Sequence, residues 1–135
     1  MRLGGWVLAA AMSVAVTVPA LAAVTRDEFP PKSVRQLIEI CSASKGDPMM
    51  TAAVNFCQGY VEGAIDVEEA DTARFHRRPL FCLPSPPPSH DEALAAFTSW
   101  AGADPERMDR PALDGVFAYL AETYPCARPA MKRRK

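Results

Sequence analysis

The chain has 135 residues, with 15 Lys and Arg against 16 Asp and Glu, 13 prolines and four cysteines. A net charge of −1 argues against nucleic acid or anionic lipid as the main partner. The length bounds the chain to one small domain.

The chain opens with "MRLGGWVLAAAMSVAVTVPALAAVT", one early positive charge (Arg2), a long uncharged apolar run, then Ala20-Leu21-Ala22. A basic start, an apolar centre and small residues at a cleavage site describe a signal peptide. Gly4 to Val24 is nearly long enough to span a bilayer, but Pro19 and the A-x-A pattern favour cleavage between Ala22 and Ala23. The reading is therefore residues 1–22 as signal peptide and residues 23–135 as one exported domain, with no membrane attachment after cleavage. Its core is expected at about 33–126, followed by a basic tail, 127–135.

In a small exported chain, an even cysteine count reads as a disulfide framework. Cys41, Cys57, Cys82 and Cys126 are widely spaced, and His76 and His90 sit near no cysteine pair. A metal site would want C-x-x-C pairs or clustered histidines, and a catalytic thiol would want an activating neighbour. No cofactor, metal or catalytic residue is expected, and two disulfides are.

The mature part reads as helices separated by proline-rich joints. Ser33 and Gln36 fit a capping box, and Val34, Leu37, Ile38 and Cys41 follow at i, i+3, i+4 and i+7, one helical stripe ending near Ser44. Asp47-Pro48 supplies a cap and a first-turn proline for a second helix. Its broad inner face carries Met50, Ala53, Val54, Cys57, Tyr60, Val61, Ala64 and Ile65. The segment "RFHRRPLFCLPSPPPSH" is an extended connector, since each proline removes a backbone donor. Ser89 and Glu92 form a second capping box, opening a third helix that ends at Gly102. After the loop "GADPERMDR", Asp109 and Pro111 start a last helix stopped at Tyr124-Pro125-Cys126. No segment alternates with period two for long enough to be a strand. The fold class is all-α, a small four-helix domain with two disulfides.

Gly59 and Gly63 each cost a mid-helix position about 1 kcal/mol relative to alanine. Four residues apart, they predict close packing within the domain or across a dimer. The acidic run Asp66, Glu68, Glu69 and Asp71 reads as a solvated helix end, and the basic patch Arg74–Pro79 as a solvated loop.

Four cysteines allow three pairings. Joining Cys41 to Cys57 across adjacent antiparallel helices leaves an axial mismatch of roughly 7 Å at 1.5 Å per residue, awkward for a disulfide. That favours Cys41–Cys82 with Cys57–Cys126.

The string "LIEICS…FCQGYVEGAID…FCLP…ADPERMDRPALDGVFAYLAETYPC" resembles the Rap/Tai family of type VI secretion immunity proteins, from Leu37 to Cys126. A C-x-G-Y-x-x-G helix, an F-C-x-P joint, a P-E-x-R turn and a closing P-C occur in order, with all four cysteines in register. The family is all-helical and similar to small acid-stress chaperones of the bacterial periplasm. The resemblance implies a periplasmic homodimer that binds and blocks an incoming peptidoglycan amidase effector. The joint after Cys82 is richer in proline than the family pattern, and the third helix closes on Trp100-Ala101-Gly102.

On that reading the partner-binding residues are expected in the loop Ala103–Arg110, at Asp104, Glu106, Arg107 and Met108, where charges and a flexible methionine meet at a helix junction. The alternative is a periplasmic chaperone-like or stress protein sharing the fold. No serine, cysteine or histidine has the arrangement nucleophilic or general-base catalysis requires, so no enzyme is expected.

Overall fold

The computed structural model describes residues 23–127; the expected signal segment 1–22 and the tail from 128 onward lie outside the described residues. After a 3-10 turn (Arg26–Glu28) come five α-helices: α1 (Val34–Cys41), α2 (Met50–Phe75), α3 (His90–Gly102), α4 (Pro105–Asp109) and α5 (Ala112–Thr123). Among the described residues there is no strand, only an antiparallel bridge between Ser33 and Pro111. The all-α expectation holds, with the one-turn α4 added inside the expected loop. Asp104 caps it and Pro105 fills its first turn, the two residue types a helix start favours.

The α3 cap forms as the sequence predicts, while α2 is capped at Met49 rather than Asp47 and α5 at Pro111, with Asp109 ending α4 instead of opening α5. Ser89 Oγ accepts the Glu92 N–H while Glu92 Oε2 accepts the Ser89 N–H at 2.9 Å. At α1, Ser33 Oγ accepts the Gln36 N–H at 3.3 Å, but Gln36 Oε1 reaches one residue further back, to the Lys32 N–H at 2.8 Å. Asp47 stands two residues ahead of the Met49 cap of α2 and still serves its start: Oδ1 accepts the Met49 N–H and Oδ2 the Val24 N–H, both at 2.7 Å. That second bond ties down the beginning of the described chain, where Val24 is buried.

Helix α1 is the centre of the domain and packs against all four other helices. Val34, Leu37 and Ile40 are 0–1 % exposed, and burying each such side chain stabilises the fold by about 1.5–3 kcal/mol. The Val34 N–H donates to Arg110 O at 2.9 Å and the Ala112 N–H to Lys32 O at 3.3 Å. These bonds set the starts of α1 and α5 side by side. There Gly115 is the glycine that close approach demands: a Cβ on it would overlap Val34 Cγ2.

The expectation for Gly59 and Gly63 is corrected in part. Both lie on the open side of α2, where an added Cβ meets nothing within 4 Å. Among the described residues of the domain nothing packs against them.

The disulfide pairing is also corrected. Cys41 joins Cys57 with a Cα separation of 5.2 Å, and Cys82 joins Cys126 at 4.9 Å. The mismatch argument assumed a first helix running to Ser44 and a short turn. Instead α1 stops at Cys41 itself, and the linker between Cys41 and Met50 can span roughly 25 Å. The chain therefore overshoots before α2 begins and brings Cys57, about 10 Å into α2, back beside Cys41.

The acidic run is not wholly solvated either. Glu68 is 4 % exposed and holds the joint after α2. Its carboxylate takes both guanidinium nitrogens of Arg77, the Thr72 hydroxyl at 3.2 Å and the Leu80 N–H at 3.0 Å. Arg77, read from the sequence as part of a solvated patch, is the counter-charge that lets a carboxylate be buried. His76, in the left-handed conformation at φ 50°, turns the chain between them.

Candidate functional site

The four residues expected to meet a partner do lie together on α4, but three of them are occupied inside the molecule. Asp104 Oδ1 accepts the Glu106 N–H at 3.0 Å as the cap of α4. Met108 is half-buried against the core. Arg107 lies over the Trp100 ring, 4.4 Å from its centroid, and donates to Trp100 O at 2.8 Å and to Glu122 Oε2 at 3.2 Å. Trp100 Nε1 donates to the same Glu122 oxygen at 2.7 Å. A guanidinium with three fixed partners and a side chain 25 % exposed is a tie between α3, α4 and α5. Only Glu106 presents an exposed side chain without such ties.

A second feature escaped the sequence reading. An apolar groove of about 350 Å³ runs between α2 and the wall made by the proline joint, α3 and α5. Leu37, Val61, Ile65, Leu94, Phe97 and Leu120 supply most of its surface. It exists because α2 packs principally on α1 and stands off from α3 and α5, while Pro87 and Pro88 prop the joint beside it.

Tyr119 lies on the groove wall and is 5 % exposed. Among the described residues its hydroxyl has no hydrogen-bond partner. Burial pushes the phenol up to about 12, and the Tyr124 phenol beside it reinforces the shift without meeting hydrogen-bond geometry. The phenol thus stays a neutral donor at any physiological pH. His90 also lines the groove, its Nε2 3.8 Å from Cys57 Sγ. All four thiols are spent in disulfides, and the groove offers shape and apolar surface. Tyr119 could have been singled out in the sequence only by knowing that α2 stands away from it.

The family model of the Rap1a immunity proteins matches residues 33–126. The chain belongs to the Rap1a immunity protein family. No curated protein and no solved structure matches it. The Rap1a match starts at the Ser33 cap of α1 and ends at Cys126, so it takes in the five helices and both disulfides. Rap1a membership makes a protein effector the partner class, and it leaves open which surface meets it. Among the described residues no helix is long and apolar enough to cross a membrane.

Proposed function

We propose that this protein is a periplasmic immunity protein that binds and inhibits a type VI secretion peptidoglycan amidase. The Rap1a match over residues 33–126 carries that reading. Inhibition is by occupancy, without catalysis: a scaffold pinned by two disulfides holds the contact surface in one arrangement before binding, which lowers the entropic cost of association. The signal peptide, residues 1–22, delivers it to the compartment where peptidoglycan is exposed. A buried Val24 with its N–H held by Asp47 fits a mature chain that starts at Ala23. The rest, 23–135, is one domain.

Glu106 on α4 is the contact we assign from that end of the molecule. Its neighbours Asp104, Arg107 and Met108 hold the turn in place. A homodimer would use the open side of α2, where Gly59 and Gly63 permit close approach and Val67 is 61 % exposed.

The test is co-expression, in the periplasm, with an amidase toxin encoded beside the gene where the neighbouring gene is one. Neutralisation should saturate at a fixed ratio of protein to toxin, as stoichiometric binding requires. Equal lysis with and without the protein would end the reading for that pair. Exposed Val67 and Phe75 on α2 support the second reading, a chaperone-like stress protein sharing the fold. Suppression of aggregation of acid-treated client proteins, with no protection from any amidase, would favour it.

A further inference from the structure

We propose that the groove between α2 and the α3–α5 wall is a docking surface for the partner protein, receiving an apolar side chain presented next to a lysine or arginine. The inference rests on the immunity reading for its partner and on the groove itself for its chemistry.

A volume of about 350 Å³ lies at the small end of binding cavities. It suits one or two large side chains better than an extended ligand. The lining is aliphatic and aromatic.

Charge decides the flank. Glu62 lines the groove on the α2 side, and Glu69 follows two turns along the same face, flanking Ile65. Both are exposed, and neither is in an ion pair among the described residues. No lysine or arginine lines the groove. An acidic rim beside an apolar slot favours a basic group next to the anchor and repels a fatty acid or other anionic amphiphile.

The test uses the mature protein, isotope-labelled, and the peptide acetyl-Gly-Lys-Phe-Lys-Gly-amide titrated by NMR. The expected result is saturable shifts at Val61, Leu94 and Tyr119, with affinity lowered about tenfold by Glu62→Lys and by replacing the peptide phenylalanine with alanine. Val61→Asp should act likewise, with circular dichroism checking its fold; the exposed Glu62 keeps the test sound if that variant unfolds. Glu39→Lys, on α1, should leave the titration unchanged. Absence of shifts at millimolar peptide, or indifference to Glu62→Lys, overturns the proposal. So does binding that is absent in a dimeric wild type and appears only in a monomeric Phe75→Ala variant, since a second copy would then fill the groove. Neutralisation assays separate the two claims. Glu62→Lys that still neutralises the amidase ends the groove proposal and leaves the immunity reading standing; wild type that fails to neutralise ends the reading.

Discussion

Arg107 stacks on Trp100 and at the same time bonds its main-chain carbonyl, so one side chain fixes both the face of the indole and the end of α3. Glu122 on α5 completes the tie by accepting from both residues. A charge in a sequence looks the same whether it waits for a partner or holds the fold. Here Arg107 holds the fold while its neighbour Glu106 stays exposed.

The division can be measured. Arg107→Glu would bring a third carboxylate to Glu122 and Asp104 and strip the indole of its cation. Urea unfolding should show a loss of about 1.5–3 kcal/mol, the range for hydrogen bonds to a charged group. Glu106→Lys should leave stability within about 0.5 kcal/mol while weakening effector binding. Equal stability for the two variants would undo the assignment.

The glycines should respond in opposite directions. Gly115→Ala forces a methyl against Val34 in a fully packed site, and overpacking of that kind costs about 1–3 kcal/mol. Gly59→Ala and Gly63→Ala have open space and gain helix propensity, so each should stabilise the isolated chain by about 0.5–1 kcal/mol. Thermal unfolding paired with sedimentation separates the outcomes, because a dimer seated on that face would weaken as the monomer gained.

Glu68 gives a pH dependence with a definite sign. The Arg77 hydrogen bonds, then the Leu80 N–H and the Thr72 hydroxyl, outweigh burial and hold its carboxyl below the ordinary 4.5. With the folded value depressed, this stabilisation is present above pH 4.5 and is lost as pH falls through the lower folded value. Glu68→Gln should therefore destabilise the protein at neutral pH by about 1.5–3 kcal/mol and flatten the acid limb of a stability profile. An unchanged acid limb would mean that other carboxylates govern it.

The two disulfides should be mapped by digestion without reduction, which is expected to yield Cys41–Cys57 and Cys82–Cys126 peptides. On the chain-entropy model, the 16-residue loop contributes about 3 kcal/mol and the 44-residue loop about 4. Removing the second pair should therefore lower the unfolding midpoint further. A reversed order would point to the buried Cys41 and Cys57 sulfurs acting mainly through packing.

Periodicity and capping made the helices legible: Ser33 and Ser89 start α1 and α3, and Tyr124 ends α5, where local chemistry requires. The features that failed are those in which distant segments meet. The pairing of Cys41 depended on where α1 stops and how far the next linker runs. Gly59 and Gly115 look alike as glycines in helices, and only the approach of Val34 distinguishes them. Glu68 could have been matched with Arg77, nine residues on, had the joint been read as folding back over α2. The α4 turn lay inside what the sequence showed only as a loop, and the groove, a gap between helices, has no local signature.

The disulfide loops follow one another along the chain without crossing: 41–57 closes before 82 begins. A chain threaded amino end first into an oxidising space would present each thiol to its proper mate before the next pair arrived. The simplest order of oxidation, first with second and third with fourth, is then also the native one, and no scrambled isomer need be repaired on the way. Export could run at the pace of translocation, with the α1–α2 staple set while the joint and α5 were still inside. Oxidative refolding of the full reduced chain, in which all four thiols meet at once, should by contrast pass through mispaired species and be hastened by a disulfide isomerase. Equal rates with and without the isomerase would argue that the helices alone select the partners.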